Sequence, residues 1–161
     1  MNPTKETSSL SYLNATGHIP YGMTNDYMFR LILEKNNYVL KGLICSLLSL
    51  TPEKITSVEI QNPILLNETV KDKEFILDIK VLMNDSAIIN LEMQMAYMLN
   101  WRERSLSYLC RAFDQLSHGQ LYDNVKPAIH IGFLNFNPTP DDKPEFYASY
   151  KLLNEKTHAA Y

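Results

Sequence analysis

Apolar positions along the chain recur first at helical and then at strand spacing. Tyr27, Met28, Leu31 and Ile32 repeat at helical intervals, and Thr24 or Asn25 offers the short side-chain oxygen that caps a first helix. Asn36-Asn37 interrupts this pattern and can cap a second helix, with Leu40, Leu43, Ile44, Leu47 and Leu48 on one face and Pro52 beyond its end. From Ile55 to Ile60 the text turns β-branched and short, and Gln61-Asn62-Pro63 ends it. Lys73 to Met83 and Ala87 to Met95 are the clearest strands: Phe75, Leu77, Ile79, Val81 and Met83, then Ile89, Leu91, Met93 and Met95, hold the odd positions. Side chains alternate faces along a strand, so both offer an apolar odd face to a core.

A long helix follows from about Leu99 to Ser117. Its expected buried stripe is Leu106, Leu109, Cys110, Phe113 and Leu116, with Arg102, Glu103, Arg111 and Asp114 outside it and Gly119 as a left-handed stop. Pro127 opens a last strand, Ile129 to Phe136, apolar at nearly every position, as in a strand covered on both faces. The order helix, helix, three strands, helix, strand predicts a mixed α/β class around a small sheet. Residues 1–21, rich in Ser, Thr and Asn, read as a flexible leader before a single domain over residues 22–161.

The turn between Met83 and Ile88 decides where the polar residues go. A two-residue loop at Asp85-Ser86 would put one apolar face in water, so that register loses. Two three-residue loops remain, and Asn84 or Asp85 can take the left-handed conformation they need. One opposes Asp78 to Glu92; the other opposes Asp78 to Gln94 and Lys80 to Glu92. Either gathers Asp78, Lys80, Glu92 and Gln94 on one face. Two carboxylates facing each other repel unless a proton or cation lies between them. Such a pair, open to water on one side, suits Mg²⁺, which takes one or two carboxylates and keeps waters or phosphates as its other ligands. Periodicity alone is met more simply by a plain solvated face, for which these residue types are ordinary.

Charge changes the picture little. The 161 residues carry 15 Lys+Arg against 18 Asp+Glu, a net charge of −3, which excludes a general polyanion-attracting field. With 45% hydrophobic residues the chain can bury a core without staples, and two cysteines, Cys45 and Cys110, exclude a disulfide framework. Both sit in apolar helical patterns and read as buried thiols. His18, His118, His130 and His158 share no metal-ligand spacing and read as surface or core histidines. Neither a membrane-spanning apolar run nor a secretion signal is present, so the expected location is cytoplasmic.

Asp78-Ile-Lys80, a short hairpin, then Glu92-Met-Gln94 resembles the active-site signature of the PD-(D/E)XK nuclease superfamily, nearest its transposase-like branch, the recombination-promoting nuclease/transposase group. Thr24-Asn-Asp-Tyr-Met-Phe29, Ile60-Gln-Asn-Pro63, Asp72 to Lys80, Ile89 to Gln94 and Trp101-Arg-Glu-Arg-Ser-Leu-Ser-Tyr108 agree in order, over about Tyr21 to Tyr150. The resemblance implies a restriction-endonuclease-like core and a metal-dependent DNA endonuclease using Mg²⁺ or Mn²⁺. Asp78 and Glu92 would hold the metal, with the backbone carbonyl of Met93 as a further ligand. Gln94 stands where many relatives have a water-orienting lysine, and Lys80 can supply the missing charge. Glu34 is the candidate additional acid, and Arg102, Arg104 and Arg111 are the candidate DNA-binding residues. Tyr97, Trp101 and Tyr108 are aromatics able to stack on bases, although packing on the sheet is the plainer reading of Tyr108. The partner implied is DNA, with a homodimer open to it and no membrane. Members of the branch usually continue past the last strand, so the expectation is a C-terminally truncated copy, for which an inactive remnant serving as a DNA-binding or interaction module is the alternative.

Overall fold

The computed structural model describes residues 16–18, 22–62, 79–140 and 143–160. The expectations for the leader, for the first half of the strand ending at Met83, and for Asp78 itself fall outside them. Helix α1 spans Asp26–Lys35; Asn25 Oδ1 accepts from the Met28 amide at 3.0 Å, and Asp26 and Lys35 complement the dipole at the two ends. Its buried face is Phe29, Arg30 and Leu33, rotated from the repeat read in the sequence, and Tyr27 is exposed. Helix α2 spans Asn37–Leu48; Asn36 accepts from the Tyr38 and Val39 amides, and Ser49 closes the helix at φ 52°. Leu40 and Ile44 are fully buried as its pattern predicts.

Four strands form one mixed sheet in the order β1-β2-β3-β4. Strand β1 (Val58–Ile60) runs antiparallel to β2 (Ile79–Met83), β2 antiparallel to β3 (Ala87–Gln94), and β3 parallel to β4 (Ala128–Leu134). Met83 pairs with Ala87 and Lys80 with Asn90, so the hairpin uses the three-residue loop Asn84-Asp85-Ser86. Asn84 and Asp85 both sit at φ 52°. Asn84 holds that conformation with its side chain: Oδ1 accepts from the Thr56 amide (2.7 Å), the Thr56 hydroxyl and the Ser57 amide, and Nδ2 donates to the Lys54 carbonyl. The loop is thereby tied to the approach to β1.

The two sheet faces differ. Ile79, Val81, Met83, Ala87, Ile89 and Leu91 fill the odd face, under Phe29, Leu33, Leu40, Ile44 and Ile55, and this is the hydrophobic core. Helix α3 (Trp101–Phe113) covers the other face of β3 and β4. The hairpin's even face is therefore not simply open to water: Lys80 is exposed, but Asn90 and Glu92 are buried. Trp101 lies on Gly132 so closely that a β-carbon there would collide with its indole ring.

The face of α3 is a correction. Trp101, Arg104 and Tyr108 turn toward the sheet, while Leu106, Cys110 and Phe113 of the expected stripe are exposed and Leu109 and Leu116 are half-buried. Polar side chains win the inward positions because β3 and β4 present a carboxylate and an imidazole to them. The helix also ends at Phe113; Gly119, at φ 86°, belongs to a later turn closed by the Gln120 amide on the Ser117 carbonyl. Strand β4 is contacted on both faces, yet as the edge strand its residues stay half-buried or exposed. No helix among the described residues is long and apolar enough to cross a membrane.

Candidate active site

Glu92 reaches the even face from the middle of β3, and its side chain is 4% exposed. A buried carboxylate is costly unless it is paired. Its Oε1 accepts from Arg104 Nε at 2.9 Å and lies 2.8 Å from Arg104 Nη2. Arg104 also donates to the Tyr108 hydroxyl at 2.9 Å and lies over that ring, 4.8 Å from its centre. Arg104, expected to reach DNA, is thus turned inward as the counter-charge of Glu92.

The other carboxylate oxygen has a different neighbour. His130, on β4 in register with Asn90, points Nε2 at Glu92 Oε2 from 3.7 Å. Neither atom has a hydrogen-bond partner among the described residues, and both are shielded from water. The imidazole stacks on Tyr108 at 5.5 Å and tilts against Trp101 at 5.9 Å, and its Nδ1 is 3.1 Å from the Asn90 side-chain amide. Burial, and secondarily the Arg104 charge, hold the His130 pKa down at about 4, so the ring is neutral at pH 7. From the sequence alone His130 is an ordinary surface or core histidine. Its position became informative only through the parallel β3–β4 register, which no local pattern specifies.

The remaining residues surround this cluster. Lys80 is exposed, and its backbone amide donates to Asn62 Oδ1 at 2.8 Å. Gln94, half-buried, donates to the Ala96 carbonyl at 2.9 Å, and Met93 pairs with Phe133. Glu34 is buried with Arg30, whose Nε donates to it at 2.7 Å; Arg30 Nη2 also donates to the Asn62 carbonyl. Asn62 therefore links the Glu34–Arg30 pair to the start of β2.

Lys80, Arg111 and Lys126 line a groove of about 340 Å³ together with Gln61, Asp114 and Gln115. Gln115 fixes Lys126 through bonds to its backbone amide and carbonyl. Lys126 was not anticipated; it enters because the segment leading into β4 passes beside α3. Arg102 is exposed and outside this lining.

Asp78 lies outside the described residues, and among those described no group of three or more His, Cys, Asp or Glu side chains is placed to hold a metal. The donor that fits a divalent cation here is Glu92 Oε2, a buried carboxylate oxygen with no hydrogen-bond partner among the described residues. The family described as PD-(D/E)XK nuclease family transposase matches residues 23–161. No curated protein and no solved structure matches the chain.

Proposed function

The chain belongs to the PD-(D/E)XK nuclease family transposases, and from that premise we propose that it is a divalent-metal-dependent endonuclease hydrolysing DNA phosphodiester bonds. PD-(D/E)XK nucleases generally use divalent metals. The observation that carries the reading is Glu92, a buried carboxylate on β3 with one oxygen lacking a partner among the described residues. The hairpin takes one of the two registers expected, pairing Ile79 with Leu91.

In this reading Asp78, Glu92 and the Met93 carbonyl hold Mg²⁺ or Mn²⁺. An ion held there would supply charge neutralisation at the phosphate and acidity to a water. Lys80, exposed beside the site, brings a positive charge to the scissile phosphate. Gln94 orients the attacking water by hydrogen bonding, without charge, after releasing the Ala96 carbonyl. The groove of Lys80, Arg111 and Lys126 takes neighbouring phosphates, and Arg102 offers an outer contact. Arg104 leaves that role for the orientation of Glu92, and Glu34 serves as an additional acid only by giving up Arg30. The cytoplasm is the compartment this reading assigns.

The test is plasmid nicking with Mg²⁺ or Mn²⁺ by the wild type, Asp78→Ala and Glu92→Ala. Metal-dependent cleavage lost in both variants is expected; cleavage that survives either substitution removes that residue from the site. The Arg104–Glu92 pair favours one second reading, a non-catalytic remnant in which this bond is purely structural. No cleavage, and a melting temperature unmoved by metal, would select it. Light scattering of the same sample decides whether a homodimer acts.

A further inference from the structure

We propose that the outer edge of β4 is a self-association surface, on which a second copy of this chain adds its own β4 antiparallel across a two-fold axis. Strand β4 ends the sheet on one side, and its register fixes which groups it spends inward. The Ile88 amide donates to the Pro127 carbonyl at 2.9 Å, and the Asn135 amide donates to the Gln94 carbonyl at 3.2 Å. A parallel ladder uses alternate residues, so Ile129, Ile131 and Phe133 bond to β3. Ala128, His130, Gly132 and Leu134 therefore direct their amides and carbonyls outward, where no bond from a described residue meets them.

Such a row invites another strand, and natural edges are guarded by shortness, charge or proline. The opposite edge follows that rule: β1 is three residues long and exposes Glu59. β4 does not. Its seven residues, Ala-Ile-His-Ile-Gly-Phe-Leu, hold no proline and no Lys, Arg, Asp or Glu. Ile129, Ile131 and Phe133 pack against the core yet stay half-buried. A two-fold contact must be self-complementary, and an apolar strand without charge meets that condition when paired with itself.

The flank of α3 above this edge fits the same partner. Arg111 lines the groove on the β2 side, with Lys80 and Leu82. Leu109 and Phe113 each stand two residues from Arg111, about 200° round the helix, and so on the flank toward the free edge. Phe113 is 55% exposed there. A helix seated over the β3–β4 pair lies one strand spacing, about 4.8 Å, from an axis beside β4. Two copies of α3 then come to about 10 Å, the ordinary spacing of packed helices, with Leu109 and Phe113 between them. An unrelated extended peptide would fill the edge but leave Phe113 uncovered, which decides for a second copy. Outward-bonding even residues oppose even residues, so both even faces, each with its Glu92, share one side of the joined sheet. The surface does not depend on the nuclease reading.

Light scattering and amide hydrogen exchange by nuclear magnetic resonance, both on the full chain over a dilution series, test the proposal. Expected are twice the chain mass at high concentration, and slow exchange at Ala128, His130, Gly132 and Leu134 that is lost on dilution. Phe113→Glu, at a position exposed in the single copy, should keep the circular dichroism of the wild type. It should weaken association at least tenfold, about the effect of losing one central apolar contact. A wild type still monomeric at about 1 mM would overturn the proposal. So would a dimer whose four β4 amides exchange freely, or one indifferent to Phe113→Glu. Protection that survives dilution to the single chain would overturn it too, by placing a segment of the same chain on the edge.

Discussion

The two faces of one sheet are built on opposite principles. Under α1 and α2 the odd face is apolar throughout, and its stabilisation is non-directional, proportional to the area taken from water. Under α3 the even face of β3 and β4 buries a carboxylate, an amide and an imidazole, held by an arginine and two aromatic rings. Directional partners are required there, since each polar group is expensive when left alone. The lesson is a division of labour. The first face carries stability, which frees the second to hold a carboxylate whose bonding remains incomplete.

The most direct way to break this comparison is to truncate the apolar face. Leu33 is fully buried against the sheet, so Leu33→Ala should cost about 2–5 kcal/mol, from lost transfer energy and the cavity left behind. Urea unfolding monitored by circular dichroism measures it. A cost well under 1 kcal/mol would mean that the odd face is not where stability resides.

On the other face the effect should be smaller and coupled. Arg104→Met strips Glu92 of its counter-charge, and breaking a fully buried pair costs about 3–5 kcal/mol. Arg104 is 35% exposed, so solvent screening brings the expected loss down to about 2 kcal/mol. Adding Glu92→Gln removes the stranded charge, and the double variant should lose less than the two singles combined, by about 1 kcal/mol or more. Strict additivity would show that the ion pair does not organise this face.

Gly132 tests how closely α3 must approach. A methyl group there meets the Trp101 indole, so Gly132→Ala should cost about 1–3 kcal/mol as α3 lifts from β4. Trp101 is the one tryptophan in the chain, so a red-shifted emission reports the displacement directly. Unchanged emission and stability would place the helix farther from the strand than the structure does.

The odd face was largely legible in the sequence, and the even face only in part. Parity alone selected three-residue loops for the hairpin, and Asn84 with Asp85 carried the left-handed turn, because a strand's period of two couples every residue to the same choice. The family motifs picked out Glu92, Gln94 and Lys80. What stayed hidden depended on contacts between segments far apart in sequence. Arg104 reads as a solvated helix position until Glu92 is set beneath it, and His130 as an ordinary histidine until β4 is laid parallel to β3 in one register. Tertiary pairing, not local preference, fixed both.

The smallest expected effect is the sharpest check on that explanation. Apolar periodicity assigns Leu106 to the buried stripe of α3, whereas the structure leaves it 54% exposed, because Trp101, Arg104 and Tyr108 take the inward positions. Leu106→Ala should therefore change stability by no more than about 0.5 kcal/mol, the range of surface substitutions, since alanine also favours the helix slightly. The same urea experiment as for Leu33→Ala gives the comparison under identical conditions. A loss of the size expected at Leu33 would mean that α3 is turned as its hydrophobic repeat suggests. Arg104 could then no longer reach Glu92 from the inner face, and the even-face cluster would lose the contact that defines it.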